Sequence, residues 1–148
     1  MYANILVAID GSPVSDAALR HAIRLAQEQH AKLQVLHVID IIGVTWATED
    51  ILDAYKQRGQ SLLDQATYLG HLAGLQTTSA LLETGVVGQR TAEIVAEHAR
   101  AVAADLVVLG SHGYRGLSHL FLGSVAEGVA RLCNMPVLIV HGPLEAEG

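Results

Sequence analysis

The chain has 148 residues, 51% of them hydrophobic and 16% charged, with a formal net charge of −6, and that length suits one domain spanning positions 1–148. Its 9 Lys and Arg residues are scattered, which excludes a nucleic-acid surface built on counterion release, and no apolar run nears the ~20 residues that cross a bilayer, so no membrane insertion is expected. The single cysteine, Cys133, rules out an intrachain disulfide, and Met1-Tyr2-Ala3-Asn4 opens no basic, apolar leader, so a cytoplasmic location is expected.

Residues 4–9 (NILVAI) form a short β-branched apolar run, the pattern of a strand covered on both faces. Asp10-Gly11-Ser12-Pro13 breaks it. Residues 14–30 then place Ala17, Ala18, His21, Ala22, Leu25, Ala26 and Gln29 at three-four spacing, a helix with Ser12 as N-cap and Pro13 in its first turn. A second strand covers 32–39 (KLQVLHVI), and 40–49 is a loop. A long helical pattern fills 50–73, with Gly59 a weak spot inside it and Gly74 ending it as a C-cap. The run 76–83 is a less apolar strand, placed nearer an edge, and 85–88 is a turn. Then come a helix at 90–101 with Ile94, Val95 and Ala99 inward, a strand at 105–110 (DLVVLG), a glycine-rich stretch at 111–117, a helix at 122–132, a last strand at 136–141 (PVLIVH), and a polar tail. This β-α alternation predicts an α/β fold: a single-domain, open, five-stranded parallel sheet with helices on both faces, joined by right-handed crossovers.

Ligands of open α/β sheets bind at the carboxyl ends of strands, where strand order reverses. Two segments end strands in a suitable way: Ile9-Asp10-Gly11-Ser12 and Gly110-Ser111-His112-Gly113-Tyr114-Arg115-Gly116. Gly110 and Gly113 are expected to adopt positive φ and to let a ligand approach the backbone. Gly123-Ser124 falls where helical periodicity begins, so open N–H groups and the helix dipole there favour an anion. Each of these residues alone is more simply a turn former or a cap, and Asp10 alone an Asx-turn residue. It is the joint spacing Gly110-x2-Gly113-x9-Gly123-Ser124, after the fourth strand, that points to a phosphate chain.

That spacing resembles the signature of the ATP-binding branch of the universal stress protein family. The similarity covers nearly the whole chain: NILVAIDGSPVSDAAL (4–19), LHVID (36–40) and DLVVLGSHGYRGLSHLFLGSVAEGVARLCNMPVLIV (105–140) all resemble family segments. The resemblance implies a Rossmann-like, adenine nucleotide α-hydrolase-like fold and an ATP-binding regulatory protein, with AMP or ADP as other ligands. It implies that Asp10 contacts the ribose or adenine end, that Ala8 and Ile9 line that pocket, and that Val38 offers backbone groups to adenine. Gly110, Ser111, His112, Gly113 and Arg115 would wrap ribose and phosphates, with Gly116 in the variable part of the signature beside Tyr114. Gly123, Ser124 and Val125 would bind the outer phosphates, and Mg²⁺ or Mn²⁺ would ride on them. Ala8 stands where some relatives have proline. Relatives of this kind dimerise through the last strand, and a homodimer through 136–141 is expected here, covering that edge.

The remaining candidates carry less. Eight histidines show no finger-like or HExxH spacing, so no protein-held metal is expected. Cys133 is read as a small buried hydrophobe. There is no GxxxxGK[ST] loop, no GxGxxG turn after the first strand, and no Ser-His-Asp pattern. No catalytic residue is assigned, and at most slow ATP hydrolysis is expected. Two rival readings stand beside the first: a ligand-free interaction module of the same fold, and an enzyme of the wider nucleotide-hydrolase-like fold. The second of these needs an SGGxDS-like or HxGH-like motif at the first strand, where the chain has Ile9-Asp10-Gly11-Ser12-Pro13.

Overall fold

The computed structural model describes residues 1–41, 48–85, 90–112 and 122–142. Among these described residues five strands alternate with four helices: β1 (Asn4–Ala8), α1 (Pro13–Gln29), β2 (Lys32–Ile39), α2 (Glu49–Leu72), β3 (Thr77–Glu83), α3 (Thr91–Ala101), β4 (Leu106–Gly110), α4 (Ser124–Leu132) and β5 (Val137–Val140). All strand pairs are parallel, and their order is β3-β2-β1-β4-β5. The α/β class, parallel sheet and element order match the sequence reading. The less apolar third strand does lie at an edge, and β5 forms the other.

The period-two geometry of a strand divides the apolar residues between two cores. Ile5, Val7, Leu33, Val35 and Val108 face α1 and α2, where Ala18, Ala22, Ala26, Leu63 and Ala66 are buried. Leu6, Leu36, Val107 and Leu109 face the other way, onto Val95, Ala99, Ala126 and Val129 of α3 and α4. Small alanines on α1 let that helix lie close to β1 and β4. The buried face of α1 is Ser15, Ala18, Leu19, Ala22 and Ala26, so the expected stripe was turned slightly: Leu19 is inside and His21 is exposed.

Local chemistry sets the helix ends. Ser12 caps α1, its Oγ accepting from the Ser15 N–H at 3.2 Å, with Pro13 in the first turn. His30 closes α1 in the left-handed region, φ 56°, a role the sequence did not advertise because glycine is its usual occupant. Gly74 takes φ 80° just past α2, as a C-cap glycine does. Gly59 is not a weak spot: a Cβ there would lie 2.8 Å from His37 Cδ2 and 2.9 Å from Leu81 Cδ1, so its bareness lets α2 approach β2 and β3. At the lower end of the sheet the N–H groups of Ala3 and Asn4 donate to Asp105 at 2.8 and 3.0 Å, tying the start of the chain to β4.

Candidate functional site

Strand order turns at β1. The chain leaves β1 toward β2 on one side and returns to β4 on the other, so the carboxyl ends of β1 and β4 flank a crevice. A cavity of about 410 Å³ occupies it, within the range of small-molecule sites. Its floor is apolar: Ala8, Leu36, Val38 and Leu109 rise from the strands, and Val95 closes it from α3. Ile9, Asp10, Ser15, Gly110 and His112 form the strand-exit rim, Thr91 stands at the start of α3, and Gly123, Ser124, Val125 and Ala126 form the wall of α4.

The β1 exit is held in place by its own side chains. Asp10 Oδ1 accepts from the Ser12 N–H at 2.9 Å, an Asx turn, while the Asp10 N–H donates to Ser15 Oγ at 2.9 Å. Gly11 turns the chain at φ 85°. From the opposite face of the sheet, His37 Nδ1–H donates to the Ile9 carbonyl at 2.8 Å. Asp10 therefore keeps a fixed place at the cavity rim with one carboxylate oxygen engaged.

Gly110 and Gly123, at the two ends of the β4–α4 connection, serve sterics, not unusual backbone angles. Among the described residues the positive-φ glycines are Gly11 and Gly74, so the expectation of positive φ at Gly110 is corrected. A Cβ on Gly110 would lie 2.7 Å from Val14 Cγ1; the first turn of α1 presses on the end of β4. Gly123 has φ −67°, and a Cβ there would lie 3.1 Å from His112 Cα and 3.3 Å from the Ser111 carbonyl oxygen. Its own N–H donates to that carbonyl at 2.7 Å, so this amide is committed, contrary to the expectation that it lies open. The helical ladder of α4 begins with Glu127 N–H donating to the Gly123 carbonyl at 3.0 Å. The amides of Ser124, Val125 and Ala126 precede it, and no side-chain hydrogen bond caps them among the described residues. These three residues line the cavity, and free amides at a helix N-terminus are suited to an anion.

Of the residues anticipated from sequence, Ala8, Ile9, Asp10, Val38, Gly110, His112, Gly123, Ser124 and Val125 line one cavity. Ser111 does not line it and is only 3% exposed. Gly113, Arg115 and Gly116 lie outside the described residues. Leu36, Leu109, Ser15, Thr91, Val95 and Ala126 were missed. Strand parity marks the first two, since Leu36 shares a face with Val38 two residues on. Thr91 and Val95 are four apart on one helix face, and the packing of α3 against β2 and α4 brings them to the site.

Together these features define an α/β protein with a cavity at the topological switch point of its parallel sheet. The universal stress protein family matches residues 1–141, and the chain belongs to that family. It is 35% identical over 153 residues to the universal stress protein YxiE of Bacillus subtilis, covering 95% of this chain and all of that one. The solved structure of MJ0577 superposes with a TM-score of 0.82 at 25% identity, covering 97% of this chain and 98% of the other. A universal stress protein in complex with cAMP matches with a TM-score of 0.73 at 26% identity, covering 96% and 99% of the two chains. One from Archaeoglobus fulgidus in complex with dAMP matches with a TM-score of 0.68 at 27% identity, covering 94% and 98%. Nucleotide-bound structures thus occur among its structural neighbours. No helix among the described residues is long and apolar enough to cross a membrane.

Proposed function

We propose that this chain is a cytoplasmic regulatory protein that holds ATP, or AMP or ADP in its place. One observation carries the reading: an apolar cavity at the switch point opens onto helix amides that no side chain among the described residues caps. The base would rest on Ala8, Val38 and Val95, with the Val38 backbone, Ile9 and Asp10 reaching base and ribose. Gly110 and His112, joined by Gly113, Arg115 and Gly116, would enclose ribose and phosphates. The open amides of Ser124 and Val125 would take the outer phosphates, with Gly123 giving the clearance that lets α4 start there. Strands β2 and β4 lie two positions apart, roughly 10 Å at the usual strand spacing, a gap that a nucleoside bridges between base and phosphate. The complexes of relatives with cAMP and dAMP support an adenine nucleotide.

Among the described residues no group of three His, Cys, Asp or Glu side chains is placed to hold a metal. A Mg²⁺ or Mn²⁺ ion would ride on the phosphates. The outer edge of β5, whose four residues are all half-buried, would pair with that of a second copy to form a homodimer.

Mass spectrometry of small molecules released from freshly purified protein, followed by calorimetric titration with ATP, tests the ligand. Bound adenine nucleotide is expected. Gly123→Val should abolish binding, because the new side chain meets His112 and forces α4 away from β4. Unchanged binding by that variant rejects the site. Absence of any nucleotide affinity favours the ligand-free interaction module. Light scattering after size exclusion should give twice the chain mass, and a monomer at every concentration rejects the dimer.

A further inference from the structure

Ser111 makes three bonds at the exit of β4. Its N–H donates to the Val140 carbonyl at 2.9 Å, and its own carbonyl accepts the Gly123 N–H at 2.7 Å. Its hydroxyl lies 3.1 Å from His112 Nδ1. Ser111 is 3% exposed, while the neighbouring His112 lines the cavity.

A buried hydroxyl proton needs an acceptor. Among the described residues the partner of this hydroxyl is His112 Nδ1. If Oγ–H donates, Nδ1 is bare, and the proton of the neutral ring sits on Nε2. The other arrangement leaves the serine proton without a described acceptor. It also leaves Nε2 with a lone pair, on a ring that borders a row of amides suited to an anion. We propose that Ser111 is a positioning residue that holds neutral His112 in its Nε2–H form, so that the ring offers a proton to a phosphate oxygen at the α4 end of the cavity. The phosphate half of this inference rests on the nucleotide reading; the tautomer is a property of the free protein.

Long-range proton–nitrogen correlation spectra of ¹⁵N-histidine-labelled, ligand-free protein read the tautomer directly. They are recorded at about pH 8.5, where a free imidazole is neutral, and His112 is assigned by its loss in His112→Gln. A bare Nδ1 and a protonated Nε2 are expected in the wild type and in Ser111→Thr, which keeps the hydroxyl. Ser111→Ala should give averaged or reversed nitrogens. A protonated Nδ1 in the wild type overturns the proposal.

Calorimetry with ATP reads the consequence. Ser111→Ala should weaken binding roughly three- to tenfold, the worth of one oriented hydrogen bond, and Ser111→Thr should restore it. In a His112→Gln background, Ser111→Ala should have no further effect. Equal losses in both backgrounds overturn the positioning role, because a merely structural serine would act whether or not the imidazole is present. A wild-type protein that binds no ATP sinks the nucleotide reading, and the ligand-free spectra then decide the Ser111–His112 relation by themselves.

Discussion

Val14 stands against Gly110 so closely that a methyl group on the glycine would sit 2.7 Å from Val14 Cγ1 and 3.2 Å from the Val14 carbonyl carbon. The second of these neighbours is backbone, so the contact cannot be relieved by a rotamer change. Gly110→Ala should therefore lift the first turn of α1 from the end of β4, destabilising the fold by about 1–3 kcal/mol, the usual cost of overpacking. Urea denaturation measures it. A variant as stable as the wild type would show that α1 is not anchored there.

Gly59→Ala tests a contact in the middle of α2. Helix propensity favours alanine by about 1 kcal/mol, while overpacking against His37 and Leu81 costs about 1–3 kcal/mol. The balance is expected to be a net loss. His37 also donates to the Ile9 carbonyl, so its displacement should loosen the β1 exit. Faster amide exchange at 9–12 is the second readout, and a stabilised variant contradicts the account.

Ser12 is 1% exposed and its hydroxyl accepts the Ser15 N–H. Ser12→Ala removes the α1 cap and should cost about 1 kcal/mol. Ser12→Gly should cost only a few tenths. Equal effects of the two substitutions in thermal or urea unfolding would mean that the hydroxyl is not the stabilising group.

His98 on α3 is half-buried, and burial pushes its pKa below the ordinary histidine value of 6.5. Below about pH 6.5 the unfolded chain then binds the proton more readily than the folded one. Stability should rise with pH through that window and fall as the solution is acidified. Urea midpoints at pH 7.5 and 5.5 should drop more for the wild type than for His98→Gln. Equal drops reject the assignment.

The β-α alternation was legible because buried parallel strands are continuous apolar runs, and the two strand ends that flank the cavity were legible from Asp10 and the spaced glycines. What the sequence could not convey was why Gly110 and Gly123 are glycines. Local reasoning supplies backbone freedom as the motive at Gly110 and open helix amides at Gly123, whereas both positions are small because Val14 and His112 press on them from elsewhere in the chain. Thr91 and Val95 were invisible for the same reason, since the packing of α3 against β2 and α4 brings them to the cavity. His30 shows the limit from the other side: a left-handed helix end filled by a residue that carries no local mark of it.

Of the five described strands the middle one comes first in chain order, and its partner β4 follows about 100 positions later, at the pairing of Ile5 with Leu106. β1 can zip to β2 through a short connection, but its other edge and the apolar residues beneath α3 and α4 stay uncovered until β4 and those helices are present. The cavity thus draws its lining from segments far apart in the sequence, Ala8 and Leu36 on one side and Leu109 and Ala126 on the other, and takes shape only when both are in place.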